Sequence, residues 1–289
     1  MSASRDSELS RMKTGKLLTV YYNWRGRFIS PVPRRVHLSP ELVASAGYAE
    51  HQVVVDVLAH RIESGLDVTP QLSRDVSIPH ESVAPRRSRK RRPDLDGLLA
   101  EWGITHLHLS LEIERRQPYE TAYRTKNLLF LAVQPKDAYF ISVLPHSSWT
   151  APALRDTVVR NWPAAGIFHA SRTKKGLTQE VDEASHKELR DAGVTILSLD
   201  NGRVVAPQGQ SLAGTSLGVA DEANRVLLAI DELVKALGDQ TGQLSEEVTS
   251  RGGKLEGRQP DVHAEVEAGV LQIRERHTGV VIPWINLRK

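Results

Sequence analysis

The chain has 289 residues, 40% of them hydrophobic and 25% charged, with a net charge of +3; this is a globular composition, long enough for a large core and more than one compact unit. It contains no cysteine, which excludes disulfides, thiolate nucleophiles and cysteine-held zinc or iron–sulfur centres. No apolar run approaches the about 20 residues that cross a bilayer, and the opening MSASRDSELSRMKTGK lacks the apolar core of a signal peptide, so a cytoplasmic protein without a membrane segment is expected.

In chain order, LLTVYYNWRGRFIS alternates loosely around the turn-prone Asn23 to Gly26 and reads as a hairpin over 17–30. Ser39-Pro40-Glu41 then supplies a cap, a first-turn proline and an acid for a helix running to about Ile62, with Gly47 a weak point within it and Gly65 beyond its end. From 67 to 93 the prolines at 70, 79, 85 and 93 and the lack of apolar periodicity indicate a linker or long surface loop. It carries RRSRKRR, in which Arg86, Arg87, Arg89, Lys90, Arg91 and Arg92 crowd into one short run.

The next part is the most regular. DLDGLLAEWG reads as a short helix closed by Gly103, ITHLHLS as a strand, and NLLFLAVQ and AYFISVLP as a hairpin turning at Pro135-Lys136-Asp137. APALRDTVVRNWP has helical spacing and is stopped by Pro163. Further on, Thr178 can cap a helix through Asp191, VTILSL and RVVAP flank the hairpin turn Asp200-Asn201-Gly202, and 219–237 is an amphipathic helix. Residues 244–260 read as loose, and the apolar alternation from His263 onward reads as short terminal strands. The expected class is α+β: a hairpin-helix segment (1–66), the basic linker (67–93), a central antiparallel sheet with covering helices (94–175) and a C-terminal α+β region (176–289).

The chemistry concentrates in the central unit. In an extended strand, His106, His108 and Ser110 fall on one face and Thr105, Leu107 and Leu109 on the other. Imidazole titrates near neutral pH, so His106 and His108 are candidates for general acid and base, against the plainer reading of two histidines packed on a strand. His146 ends the second hairpin strand and can return to the same face. Arg124 and Lys126 precede the strand between them and can hold phosphate oxygens, and Tyr123 offers a ring for base stacking. Trp149 can likewise pack or stack. A metal reading uses His106 and His108 as ligands with His146 as the third, but no carboxylate partner is evident.

The succession helix, ITHLHLS, an arginine-containing approach, NLLFLAV, PKD and AYFISVLPH resembles the core of RelE/ParE-type toxins over about 94–163. That resemblance implies metal-independent ribonuclease chemistry, or a gyrase poison, with the acid/base and phosphate work on His106, His108, Arg124, Lys126 and His146 and with a cognate antitoxin as partner. A second resemblance is to the two-histidine phosphoesterases, whose paired His-x-Ser/Thr motifs have counterparts in His108-Leu109-Ser110 and His146-Ser147-Ser148. Those toxins are much shorter than this chain, and the phosphoesterase motifs are usually farther apart.

The expected function is therefore a cofactor-free endoribonuclease of toxin or phage-defence type, acting on RNA rather than DNA, with the basic run adding sequence-independent affinity. The alternative is a non-enzymatic nucleic-acid-binding, antitoxin-like or phage-related regulatory protein in which the histidines only pack.

Overall fold

The computed structural model describes residues 11–78, 95–115, 120–175, 181–192, 194–200, 203–211, 214–239, 241–267 and 270–286. The basic run 86–92 lies outside them. The chain is an α+β protein made of two compact units, 1–221 and 222–289.

In the first unit, helix α1 (Thr14–Arg25) precedes strand β1 (Arg35–Leu38), which is followed by α2 (Pro40–Val43) and α3 (Ala46–Glu63). The hairpin expected over 17–30 is instead helical in its first half. Leu17, Tyr21, Trp24 and Phe28 recur at helical spacing; Trp24 packs edge-on against Phe28 at 5.2 Å, and its indole N–H donates to the Val76 carbonyl at 2.9 Å. Those tertiary contacts override the strand preference of the aromatic residues. The expected single helix over 40–62 is two, each with its own serine cap: Ser39 Oγ accepts from Leu42 N–H at 2.9 Å and Ser45 Oγ from Tyr48 N–H at 3.0 Å. Gly47 explains itself by position, because a Cβ there would come within 3.0 Å of Val143 Cγ1 and of the Val143 carbonyl. It lets α3 lie close on the sheet.

The first part of the segment read as a linker is not a surface loop. Two short 3₁₀ turns (Thr69–Gln71 and Arg74–Ser77) bring Val68, Leu72 and Val76, spaced by four, into the core. Helix α4 (Gly97–Trp102) is capped by Asp96 Oδ1, which accepts from Leu99 N–H at 3.0 Å, and it ends on Gly103 at φ +67°, a left-handed position suited to glycine.

Strand β2 (Ile104–His108), the small hairpin β3 (Ile113–Arg115) with β4 (Glu120–Ala122), and β5 (Asn127–Val133) with β6 (Asp137–Pro145) follow. The main sheet has the order β1-β6-β5-β2, with β1 parallel to β6 and the other pairs antiparallel. Both faces are covered. Leu107, Leu109, Leu129, Leu131 and Phe140 pack with α3 and the 3₁₀ turns, while Ile104, Leu128, Phe130 and Ile141 pack with α4 and α5 (Pro152–Asn161). A register shift opposite Phe130 and Leu131 interrupts the alternation of β6, so that Phe140 and Val143, three residues apart, enter the same core.

Beyond α5, a three-stranded sheet of β7 (His169–Lys175), β9 (Arg203–Ala206) and β8 (Ser198–Asp200) forms with helix α6 (Glu183–Asp191) between β7 and β8 in sequence. Asp182, not Thr178, caps α6, accepting from Ala184 and Ser185 N–H at 3.0 Å each. Thr178 itself lies outside the described residues.

Helix α7 (Leu217–Asp239) begins in the first unit and continues into the second, which also contains α8 (Thr241–Ser250) and the antiparallel sheet β10 (Val262–Glu267), β11 (Val270–Glu275) and β12 (Val281–Asn286). Residues 244–250, expected to be loose, are helical: Leu244 and Val248 are four apart, and Val248 is fully buried. Among the described residues no helix is long and apolar enough to cross a membrane.

Candidate functional site

β2 is one of the two outer strands of the main sheet, and its histidine face is covered. The alternation of the sequence puts His106 and His108 on the side of Ile104 and Phe130. This face is interior: His106 is 5% and His108 3% exposed. β6 runs antiparallel to β5 and delivers His146 just past its last residue; His146 N–H donates to the Lys126 carbonyl at 3.0 Å, which ties the strand end to the entry of β5.

The three imidazoles converge. Their ring centroids lie 6.1 Å (His106–His108), 6.4 Å (His106–His146) and 6.4 Å (His108–His146) apart. Trp149, two residues beyond the Ser147 that follows His146, closes the group: its ring stands edge-on to His106 at 4.8 Å and to His146 at 4.9 Å. Arg124 Nη2 donates to His146 Nε2 at 3.3 Å. His106, Arg124, His146 and Trp149 share the wall of a cavity of about 50 Å³ with Asp75, Val76, Leu95 and Asp96.

Hydrogen bonding settles the protonation of His108. Thr125 N–H donates to His108 Nδ1 at 3.2 Å. A backbone amide cannot accept, so Nδ1 carries no hydrogen and the neutral ring keeps its proton on Nε2. Burial, then the neighbouring charges of His106, Arg124, His146 and Arg74, push the His108 pKa down to about 4. At neutral pH His108 is therefore an uncharged hydrogen-bond donor through Nε2, and not a reservoir of an acidic proton. In the same way, the Arg124 contact leaves His146 Nε2 as an acceptor, available as a base once Arg124 turns to another partner.

Of the remaining residues singled out from the sequence, Lys126 is exposed and meets the group through its backbone carbonyl, not its ammonium. Tyr123 is 51% exposed. Arg86, Arg87, Arg89, Lys90, Arg91 and Arg92 lie outside the described residues; the two described stretches that flank them, at Asp75-Val76 and Leu95-Asp96, both line the histidine cavity. Ser110 Oγ accepts from Glu112 N–H at 3.2 Å. Among the described residues no group of three or more His, Asp or Glu side chains is placed so that it could hold a metal ion, the three imidazoles included.

Sequence reasoning did not find Thr125 as the partner of His108, nor Arg27, whose buried guanidinium donates to the carbonyls of Asp75 and Ile78 and also lines the cavity. Nor did it find a partner for His186. His186 is 6% exposed, and its Nε2 is 3.1 Å from Glu101 Oε1. Arg190 joins Glu101 to the site: its Nε donates to the Glu101 carboxylate and its Nη1 to the carbonyl of Trp149. No local signal marks these partners, because each is far away in the chain.

Comparison with protein families, curated proteins and solved structures finds no match for this chain.

Proposed function

We propose that the first unit is a metal-independent endoribonuclease of toxin or phage-defence type. The observation that carries this reading is the convergence of the three imidazoles: His106 and His146 line one cavity with Arg124 and Trp149, and the His108 ring lies 6.1 Å from His106 and 6.4 Å from His146. The resemblance of 94–163 to RelE/ParE-type toxins supports it, as does the composition of the basic run 86–92, six cations within seven residues.

In this mechanism the phosphodiester draws Arg124 away from His146 and onto a phosphate oxygen, where guanidinium geometry suits bidentate contact. His146 Nε2, so released, takes the proton of the ribose 2′-hydroxyl. His106 gives a proton to the leaving 5′-oxygen, and His108 donates its Nε2–H to the negative charge that grows on the phosphate. Trp149 provides a ring for the adjacent base. Tyr123, exposed beside Arg124, offers a further stacking surface.

The burial of His106 and His108 favours a second reading, in which they pack as core residues of a nucleic-acid-binding or regulatory protein. Labelled total RNA incubated with the full chain, with and without EDTA, decides between them. The proposed reading expects cleavage that survives chelator and falls by about 10²- to 10⁴-fold in His146→Ala, with the unfolding transition unchanged by a substitution at that half-exposed position. Cleavage abolished by EDTA sinks the metal-independent mechanism, and RNA binding without cleavage leaves the regulatory reading in its place.

A further inference from the structure

A cavity of about 50 Å³ accommodates a reacting phosphate but falls well short of the roughly 300 Å³ of an ordinary small-ligand site. The remainder of a polynucleotide needs space that adjoins it. Such space exists along β2, an outer strand of the sheet. A second cavity of about 280 Å³ shares Arg27 and Thr105 with the histidine cavity, and a third of about 240 Å³ shares Arg27, Gly103 and Gln134 with the second. Arg27 lines all three.

The second cavity has a particular electrostatic character. Arg34, 9% exposed, lies in its wall. Its guanidinium is held by carbonyl oxygens: Nε donates to Gln134 at 2.8 Å, and Nη1 donates to Ser30 at 2.7 Å and Val32 at 3.1 Å. Among the described residues no carboxylate pairs with it, and burial alone pulls its pKa down. A buried cation fixed by neutral acceptors is costly until an anion faces it. Here the open side is a cavity, and the buried Arg27 lines the same wall.

We propose that the cavity walled by Arg27 and Arg34 is a phosphate subsite, which takes a phosphate group of the same strand whose scissile phosphate sits at the histidines. The inference rests on the ribonuclease reading, and it makes the substrate a single strand of several nucleotides lying along the edge of β2. It commits the protein to length-dependent turnover, because a dinucleotide cannot fill both places. Arg is the residue suited to such a role, since its planar fork matches phosphate oxygens.

The test compares an RNA dinucleotide, tetranucleotide and octanucleotide as substrates of the full chain, in the wild type and in Ser30→Glu, with Ser30→Gln as the uncharged control of similar size. Ser30 is exposed at the rim, beside Arg34, so a carboxylate there competes for the guanidinium without disturbing the core. Wild type and Ser30→Gln are expected to favour the octanucleotide over the dinucleotide in kcat/KM by on the order of tenfold, the value of one charge-assisted contact; Ser30→Glu is expected to bring that ratio close to one. Equal length preference in all three proteins overturns the subsite. Inorganic phosphate, added as a competitor, should inhibit the octanucleotide more than the dinucleotide. Phosphate binding that Ser30→Glu removes but that leaves octanucleotide turnover untouched makes the cavity a free-phosphate site and overturns the strand assignment. If no oligonucleotide is cleaved, the ribonuclease reading fails, and the same length series read by fluorescence anisotropy decides the subsite. Length-dependent binding abolished in Ser30→Glu sustains it, and length-independent binding overturns it.

Discussion

His108 is the side chain whose chemistry the fold alters most. In the unfolded chain it takes up a proton near pH 6.5; in the native state it does so only near pH 4, because it is buried and surrounded by positive groups. Between these values unfolding binds a proton. The stability that follows is fully present above about pH 6.5 and is lost as the pH falls toward 4, amounting to about 3 kcal/mol. His108→Gln keeps an acceptor for Thr125 N–H but cannot titrate, so its urea midpoint should fall less steeply than that of wild type over this window. Parallel curves for the two proteins would show that His108 titrates normally in the folded chain. The cavity chemistry makes a matching expectation: His108 remains neutral through the whole neutral range, so the acid limb of any pH–rate profile belongs to other groups.

Among the elements, the least obvious tie joins α4 to α6. Glu101 is fully buried; burial raises its pKa, but the hydrogen bond from His186 and the charge of Arg190 outweigh this and hold the carboxyl below its ordinary value. Its Oε1 also accepts from Ile196 N–H at 3.1 Å, and the Arg190 guanidinium lies over the Trp102 ring at 4.5 Å. One carboxylate therefore holds α4, α6 and the chain entering β8. Removing one partner of such a buried pair leaves an uncompensated charge, so Arg190→Met should cost about 3–5 kcal/mol in chemical denaturation. A cost below about 1 kcal/mol would mean that water reaches Glu101 in the native state. Because Arg190 also holds the Trp149 carbonyl, this cluster supports the loop that carries His146 and Trp149.

At the scale of the whole molecule, charge placement matters more than the modest net charge of +3. The six basic residues within 86–92 belong to the segment that connects two stretches lining the histidine cavity. Neutralising them to glutamine should weaken RNA binding uniformly across sequences and flatten the dependence of affinity on salt, by about 0.7 in log–log slope for each phosphate that the run neutralises. An unchanged slope would assign the run to solubility alone. The second unit, 222–289, contributes a sheet and helices of its own, and none of its residues lines the three cavities.

Much of the central fold is legible in the residues themselves. Local signals sufficed wherever the chain itself carries them: the cap at Ser39, the left-handed Gly103, the close pairing of β8 with β9, and the alternation that puts His106 and His108 on one face. The errors have a common cause. Residues 17–25 and the 3₁₀ turns after Asp67 owe their form to contacts with distant partners, such as the bond from Trp24 to Val76, and short windows of sequence do not contain those partners. The site shows the same division. Local order placed the histidines along two strands, whereas only the antiparallel return of β6, the amide of Thr125 and the covering of both sheet faces brought them together and decided which nitrogen of His108 carries the proton. Periodicity is a property of neighbours in the chain; burial and protonation depend on neighbours in space.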